Sequence, residues 1–106
     1  MTTPLTLDTA RGSDGKFVLV VEGEIDLSNI DAFNQALAGA ANQATGSEEA
    51  LLVDISAVEY LDSAAISALA SQADRIELLA NPILMSVLRI SGLSELTKVE
   101  PAPPRQ

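Results

Sequence analysis

A chain of 106 residues, 47% apolar and 20% charged, reads as one globular domain, too apolar for disorder and too short for two cores. Its formal charge of −9, from 15 acidic and 6 basic residues, argues against nucleic acid and anionic lipid as partners, because both need a Lys/Arg-rich face. The sequence has no histidine and no cysteine, which removes Ser-His-Asp chemistry, an imidazole base, disulfides and thiolate zinc sites.

Aromatic residues are only 3%, so the expected core is built from Leu, Ile, Val and Ala. The opening "MTTPLTLDTA" has neither a basic region nor an apolar one, and no secretion signal is expected. No window approaches the roughly 20 apolar residues that span a bilayer. A soluble, cytoplasmic domain without membrane contact is therefore expected, with no cofactor, since no Gly-rich phosphate loop occurs.

Leu5 and Leu7 alternate with polar neighbours as on a half-buried strand. "RGSDGK" (11–16) collects turn formers, and "FVLVV" (17–21) is a β-branched apolar run, so the two predict a hairpin whose second strand is buried on both faces. Gly23 follows, and "GEID" leads out of the sheet. Ser28 and Asp31 have the S-x-x-D spacing of a capping box, in which each side chain bonds a backbone N–H near the other residue. Ile30, Phe33, Leu37 and Ala40/Ala41 then recur at helical spacing, and "NQATGSEE" (42–49) is a polar connector.

"LLVDI" (51–55) is the next buried strand, followed by a short loop to Asp62-Ser63. Ile66, Leu69, Ala70 and Ala73 give the next helix its apolar stripe, and "RIELLA" (75–80) is a further buried strand. Asn81 caps a helix with Pro82 at its first position, where a missing N–H costs nothing. That helix is apolar nearly all round, and an exposed Leu84 or Met85 would belong to a docking patch rather than to the core. It ends at "SGL", with Gly92 left-handed and Leu93 packing back. "LTKVE" (96–100) predicts a final strand, and "PAPPRQ" (101–106) a proline-rich tail.

The order predicts an α/β domain over residues 1–100. It has an N-terminal hairpin followed by βαβα units, a small mixed sheet of four to five strands, and about three helices mainly on one face. Asp26 and Ser63 both fall at carboxyl ends of strands, where such sheets carry their sites. Ser63 has three readings. It is a helix cap, as Ser and Asp commonly are; a nucleophile, for which only lysine is available as a base; or a site of phosphorylation, favoured by aligned amide dipoles at a helix start. Ser56, Ser67 and Ser71 read as surface or strand-end hydroxyls. Asp26, Asp54 and Asp62 are a conceivable cation trio, but Asp54 sits in a buried-strand pattern suited to bonding backbone, and no metal is expected.

"GEIDLSNIDAFNQAL" (23–37), "LLVDISAVEYLDSAAISALA" (51–70) and "LLANPILMSVLRISGL" (78–93) resemble, in order, the hallmarks of STAS domains, closest to the bacterial anti-sigma factor antagonists. The middle segment, an apolar strand ending in D-[IL]-S-x-[VL]-x-[FY]-[LIM]-D-S, is the specific one. The resemblance implies a non-enzymatic module that binds an anti-sigma factor with serine-kinase activity and so releases a sigma factor. It further implies that this kinase phosphorylates the serine matching Ser63, that phosphorylation ends binding, and that a PP2C-type phosphatase restores it. Asp26 and Asp62 would flank Ser63 on the partner-facing surface, with Ser28, Asn29 and Ala64 as neighbouring contacts.

Two features depart from the family pattern. The usual D-S-S-G or D-S-[ST]-G continues here as Asp62-Ser63-Ala64-Ala65, which strengthens the helix start. Ser63 to Asn81-Pro82 is about seven residues shorter than usual, close to two turns at about 3.6 residues each, so a short second helix is expected. A STAS-type accessory subunit of a transporter, docked constitutively, is the alternative reading, and nucleotide binding a more distant one. The oligomeric expectation is a monomer or a weak dimer through an exposed strand edge or the shortened helix.

Overall fold

Parallel strands are joined by crossovers of one hand, so strand order decides where the helices go. In this computed structural model, which describes residues 5–11, 17–45 and 50–103, the strands follow chain order across the sheet. They are β1 (Thr6–Arg11), β2 (Phe17–Ile25), β3 (Leu51–Leu61), β4 (Ile76–Ala80) and β5 (Lys98–Pro101). β1 pairs antiparallel with β2, and every later neighbour is parallel. Each crossover therefore steps the same way, and α1 (Ile30–Thr45), α2 (Ser63–Ser71), α3 (Met85–Ile90) and α4 (Leu93–Leu96) are delivered to one face. The expected mixed α/β architecture is borne out, with one more short helix than the sequence suggested. α2 is brief as expected, at nine residues.

One hydrophobic core fills the space between sheet and helices. Leu19, Val21 and Ile25 of β2, Leu51, Val53 and Ile55 of β3, and Ile76, Leu78 and Ala80 of β4 meet Phe33, Leu37, Ala40 and Ala41 of α1 and Leu69 of α2. The apolar runs are thus buried on one face only. Val18, Val20, Leu52 and Leu79 on the other face are half-buried, which corrects the expectation of strands enclosed on both sides.

β3 also runs six residues further than expected, to Leu61. Its register with β2 slips twice: Val20 pairs with Asp54 but Glu22 with Ala57, and Gly23 with Val58 but Glu24 with Tyr60. Each slip places one extra residue in β3, a bulge that bends and twists the strand. The buried positions consequently change spacing from two to three, at Ile55, Val58 and Leu61, and the alternation that signals a strand is lost. β2 likewise continues through Gly23, at φ 102°, to Ile25 rather than leaving the sheet at "GEID".

Three other boundaries differ from the sequence reading. α1 extends to Thr45, into the presumed connector, because Ala44 still reaches the core. Residues 12–16 of the expected hairpin turn and 46–49 of that connector lie outside the described residues, as do 104–106 of the tail. At the other end, Pro101 pairs with Ala80, and the Ala102 N–H donates to the Ala80 carbonyl at 2.7 Å. Since alternate residues face the neighbour, the nitrogen of Pro101 faces outward from the sheet edge and no ladder bond is lost.

Asn81 caps the 3₁₀ turn Pro82–Leu84, accepting the Ile83 N–H, and α3 continues from it. Leu84 is buried and Met85 half-buried, so neither is the exposed docking residue considered above; Ile83 and Ile90 are exposed instead. Gly92 is left-handed at φ 85°, and buried Leu93 starts α4. Nothing lies within 4 Å of a Cβ built at Gly92, so the cost of a side chain there is conformational alone. Gly92→Ala should lower unfolding free energy by about 1–2 kcal/mol in urea denaturation, with Gly92→Asn losing less, because Asn tolerates the left-handed region.

Candidate functional site

The last paired residues of β2 and β3 are Ile25 and Leu61, so Asp26 and Asp62 leave adjacent strands side by side. Neighbouring strands lie about 4.8 Å apart, which brings the two segments 26–29 and 62–65 together at the carboxyl end of the sheet. The bulges in β3 carry that strand to the same level as β2.

Asp26 organises the first segment. Its Oδ1 accepts the Ser28 N–H at 2.9 Å and a short hydrogen bond from the Ser28 hydroxyl. The Asp26 N–H donates to Asn29 Oδ1 at 3.0 Å, while Asn29 Nδ2 donates to the Glu24 carbonyl at 2.8 Å. Asn29 therefore clamps the end of β2 to the start of α1, and its carbonyl takes the first helical bond from the Phe33 N–H. The expected Ser28/Asp31 capping box does not form. Asp26 takes both donors of Ser28 from two residues upstream, including the N–H that Asp31 would have accepted, and the helix starts on the Asn29 carbonyl instead. The Ser28 hydroxyl, then the Ser28 N–H, hold the Asp26 carboxyl below the usual carboxylate range.

Asp62 organises the second segment. It is the N-cap of α2, in extended conformation, and its Oδ1 accepts the Ala65 N–H at 3.0 Å. Its carbonyl accepts the first helical bond, from the Ile66 N–H. Ser63 is thereby relieved of capping. It occupies the first helical position with its side chain exposed, and Ala64 beside it is half-buried.

The site thus presents two carboxylates and two hydroxyls, those of Ser28 and Ser63, on two adjoining helix starts. Leu27 and Tyr60, 77% and 53% exposed, add apolar surface next to them. Neither was singled out from sequence. The signal was a leucine inside a capping segment, where no core position is available. Asp54 does not join Asp26 and Asp62, because it is spent on its own strand, accepting the Ser56 N–H at 3.0 Å and the Ser56 hydroxyl at 2.6 Å. Among the described residues no group of three potential metal ligands converges, and no helix is long and apolar enough to cross a membrane.

Two measurements check this division of roles. Asp62→Ala should cost about 1 kcal/mol of stability, the usual worth of an N-cap, whereas Ser63→Ala should change it by less than about 0.5 kcal/mol. Ser28→Ala should raise the Asp26 pKa toward the ordinary value near 3.9, as read by carboxyl-carbon NMR titration. Because the folded pKa lies below the unfolded one, the bond stabilises the fold above the unfolded value and is lost as pH falls through the folded one. The stability gap between wild type and Ser28→Ala should be flat above about pH 5 and close in acid.

The family model described as Mlab, STAS domain, matches residues 9–99. No curated protein gives a significant match. An anti-sigma factor antagonist from Mycobacterium paratuberculosis is 26% identical, with a TM-score of 0.79 over 98% of this chain and 92% of its own. The anti-sigma factor antagonist SpoIIAA in its unphosphorylated form is 16% identical, with a TM-score of 0.68 over 92% and 89%. An antisigma-factor antagonist STAS domain from Rhodobacter sphaeroides is 17% identical, with a TM-score of 0.53 over 72% and 84%. The family match runs from β1 to β5 and takes in both segments of the site: the chain belongs to the STAS domain family.

Proposed function

We propose that this protein is an anti-sigma factor antagonist, a non-enzymatic module that binds an anti-sigma factor through the face around Ser63. The supporting observation is the exposed hydroxyl of Ser63 at the first position of α2, freed from capping by Asp62 and set beside Asp26. The likeness to the mycobacterial antagonist over almost the whole of both chains supports the same reading.

The regulation follows from charge. A serine-kinase anti-sigma factor would phosphorylate Ser63, adding about −1.5 to −2 charges between two carboxylates. The amide dipoles of α2 would accept that charge within the chain. A partner surface fitted to the neutral hydroxyl would instead lose contact, on the scale of about 2–5 kcal/mol measured for unpaired charges at interfaces. A PP2C-type phosphatase would reverse the change, and the setting is the bacterial cytoplasm. The alternative is constitutive docking as a transporter's accessory subunit. It is favoured by Ala64 and Ala65, which make the start of α2 a firmer helix than Ser-Gly would.

The test is direct. Incubation with the cognate kinase and ATP should place phosphate on the peptide containing Ser63 and not on the Ser63→Ala chain, by mass mapping. Ser63→Ala should still bind the anti-sigma factor, while Ser63→Glu should bind at least tenfold more weakly by calorimetry. Equal binding of Ser63→Glu and wild type would sink the switch and leave constitutive docking.

A further inference from the structure

Sheets of parallel strands occur almost only with both faces covered, because their crossovers ordinarily place helices on either side. Here four of the five strands are parallel, yet among the described residues every helix lies on the face of Leu19, Val53 and Leu78. The opposite face is formed by two cross-strand rows. One runs Asp8, Val20, Asp54, Leu79, Glu100; the other Ala10, Val18, Leu52, Glu77, Lys98. No residue of either row is fully buried.

The chemistry of this face is specific. Val18, Val20, Leu52 and Leu79 form an aliphatic centre across β2, β3 and β4, and carboxylates flank it. Asp8 stands on one margin and Glu100 on the other, with Asp54 and Glu77 between them. Among the described residues the face has one cation, Lys98, 3.2 Å from Glu100, against the four carboxylates of Asp8, Asp54, Glu77 and Glu100, so its formal charge stays negative. At the carboxyl end Leu79 and Ser56 continue into a groove of about 680 Å³, with Pro82, Ala102 and Pro103 as apolar walls and Glu59 as its charge.

We infer that this open face is a second docking surface, and that its occupant is an amphipathic helix of a partner protein with an aliphatic stripe between Lys/Arg flanks. Five strands at about 4.8 Å spacing span about 19 Å. A helix about 10 Å across would cover the aliphatic centre, leaving its basic side chains to lie over Asp8 and Glu100 with their stems on the apolar floor. A second copy of the chain is disfavoured, since it would oppose one acidic row to another. The surface is independent of the Ser63 reading. It lies on a face of the sheet, whereas Ser63 lies at the strand ends, so both partners could be held together.

The test uses the full chain and a synthetic peptide of about 18 residues, Leu on one helical face and Lys on the other, against a scrambled peptide of equal composition. Methyl NMR should show shifts at Val18, Val20, Leu52 and Leu79 with the amphipathic peptide and not with the scrambled one. Asp8→Lys with Glu100→Lys, both exposed and outside the core, should weaken binding about tenfold, and added salt should weaken it in wild type. Ser63→Glu should leave it unchanged. The inference is overturned if the scrambled peptide binds equally or if the shifts map to Leu27 and Ser63. It is equally overturned by no binding at millimolar peptide, or by a dimer in sedimentation whose contacts are these same residues.

Discussion

The arrangement of this molecule rests on one constraint, the handedness of the crossovers acting on strands that lie in chain order. With no reversal of strand order, the helices share a face and the connections that begin them share an end. An open α/β sheet usually gains its site where the order reverses and two loops part. This sheet has no such point. Its site arises instead because consecutive strands stop at the same rung, Ile25 opposite Leu61, and turn into helices side by side.

Within that site the two aspartates carry the structural work, Asp26 holding Ser28 and Asp62 leaving Ser63 free for chemistry. Asp62 caps α2, Asp26 holds the turn into α1, and Asn29 ties that turn to β2. Had Ser63 been the cap, its oxygen would have been committed to an amide, and any group added to it would have loosened the helix. A neighbouring carboxylate in the capping role separates folding from modification. The carboxylate is also the better cap partner electrostatically, since it meets the positive end of the helix dipole.

Much of this was legible in the sequence, where local chemistry and tertiary packing agree. The element order, the stripe Phe33, Leu37, Ala40, Ala41, the Asn81-Pro82 start and the left-handed Gly92 each rest on one residue property that the fold does not contest. Asp26 and Ser63 could be placed at strand ends for the same reason. What was not legible depended on a neighbour. The length of β3 was hidden by its two bulges, which exist only in register with β2. The Ser28/Asp31 box was displaced because Asp26 reached Ser28 first. One-sided burial was missed because valine-rich runs look the same whether one face or both are covered, and only the topology decides between them.

The outer edge of β5 has a further consequence. Strand edges invite pairing with other chains, and a row of free amide donors is what such pairing requires. With Pro101 turned outward, that row is interrupted near its end. Sheet-to-sheet polymerisation through this side is thereby blunted at no expense to the ladder within. Backbone pairing with another chain is left to the opposite edge, β1, whose residues Thr6–Arg11 include no proline.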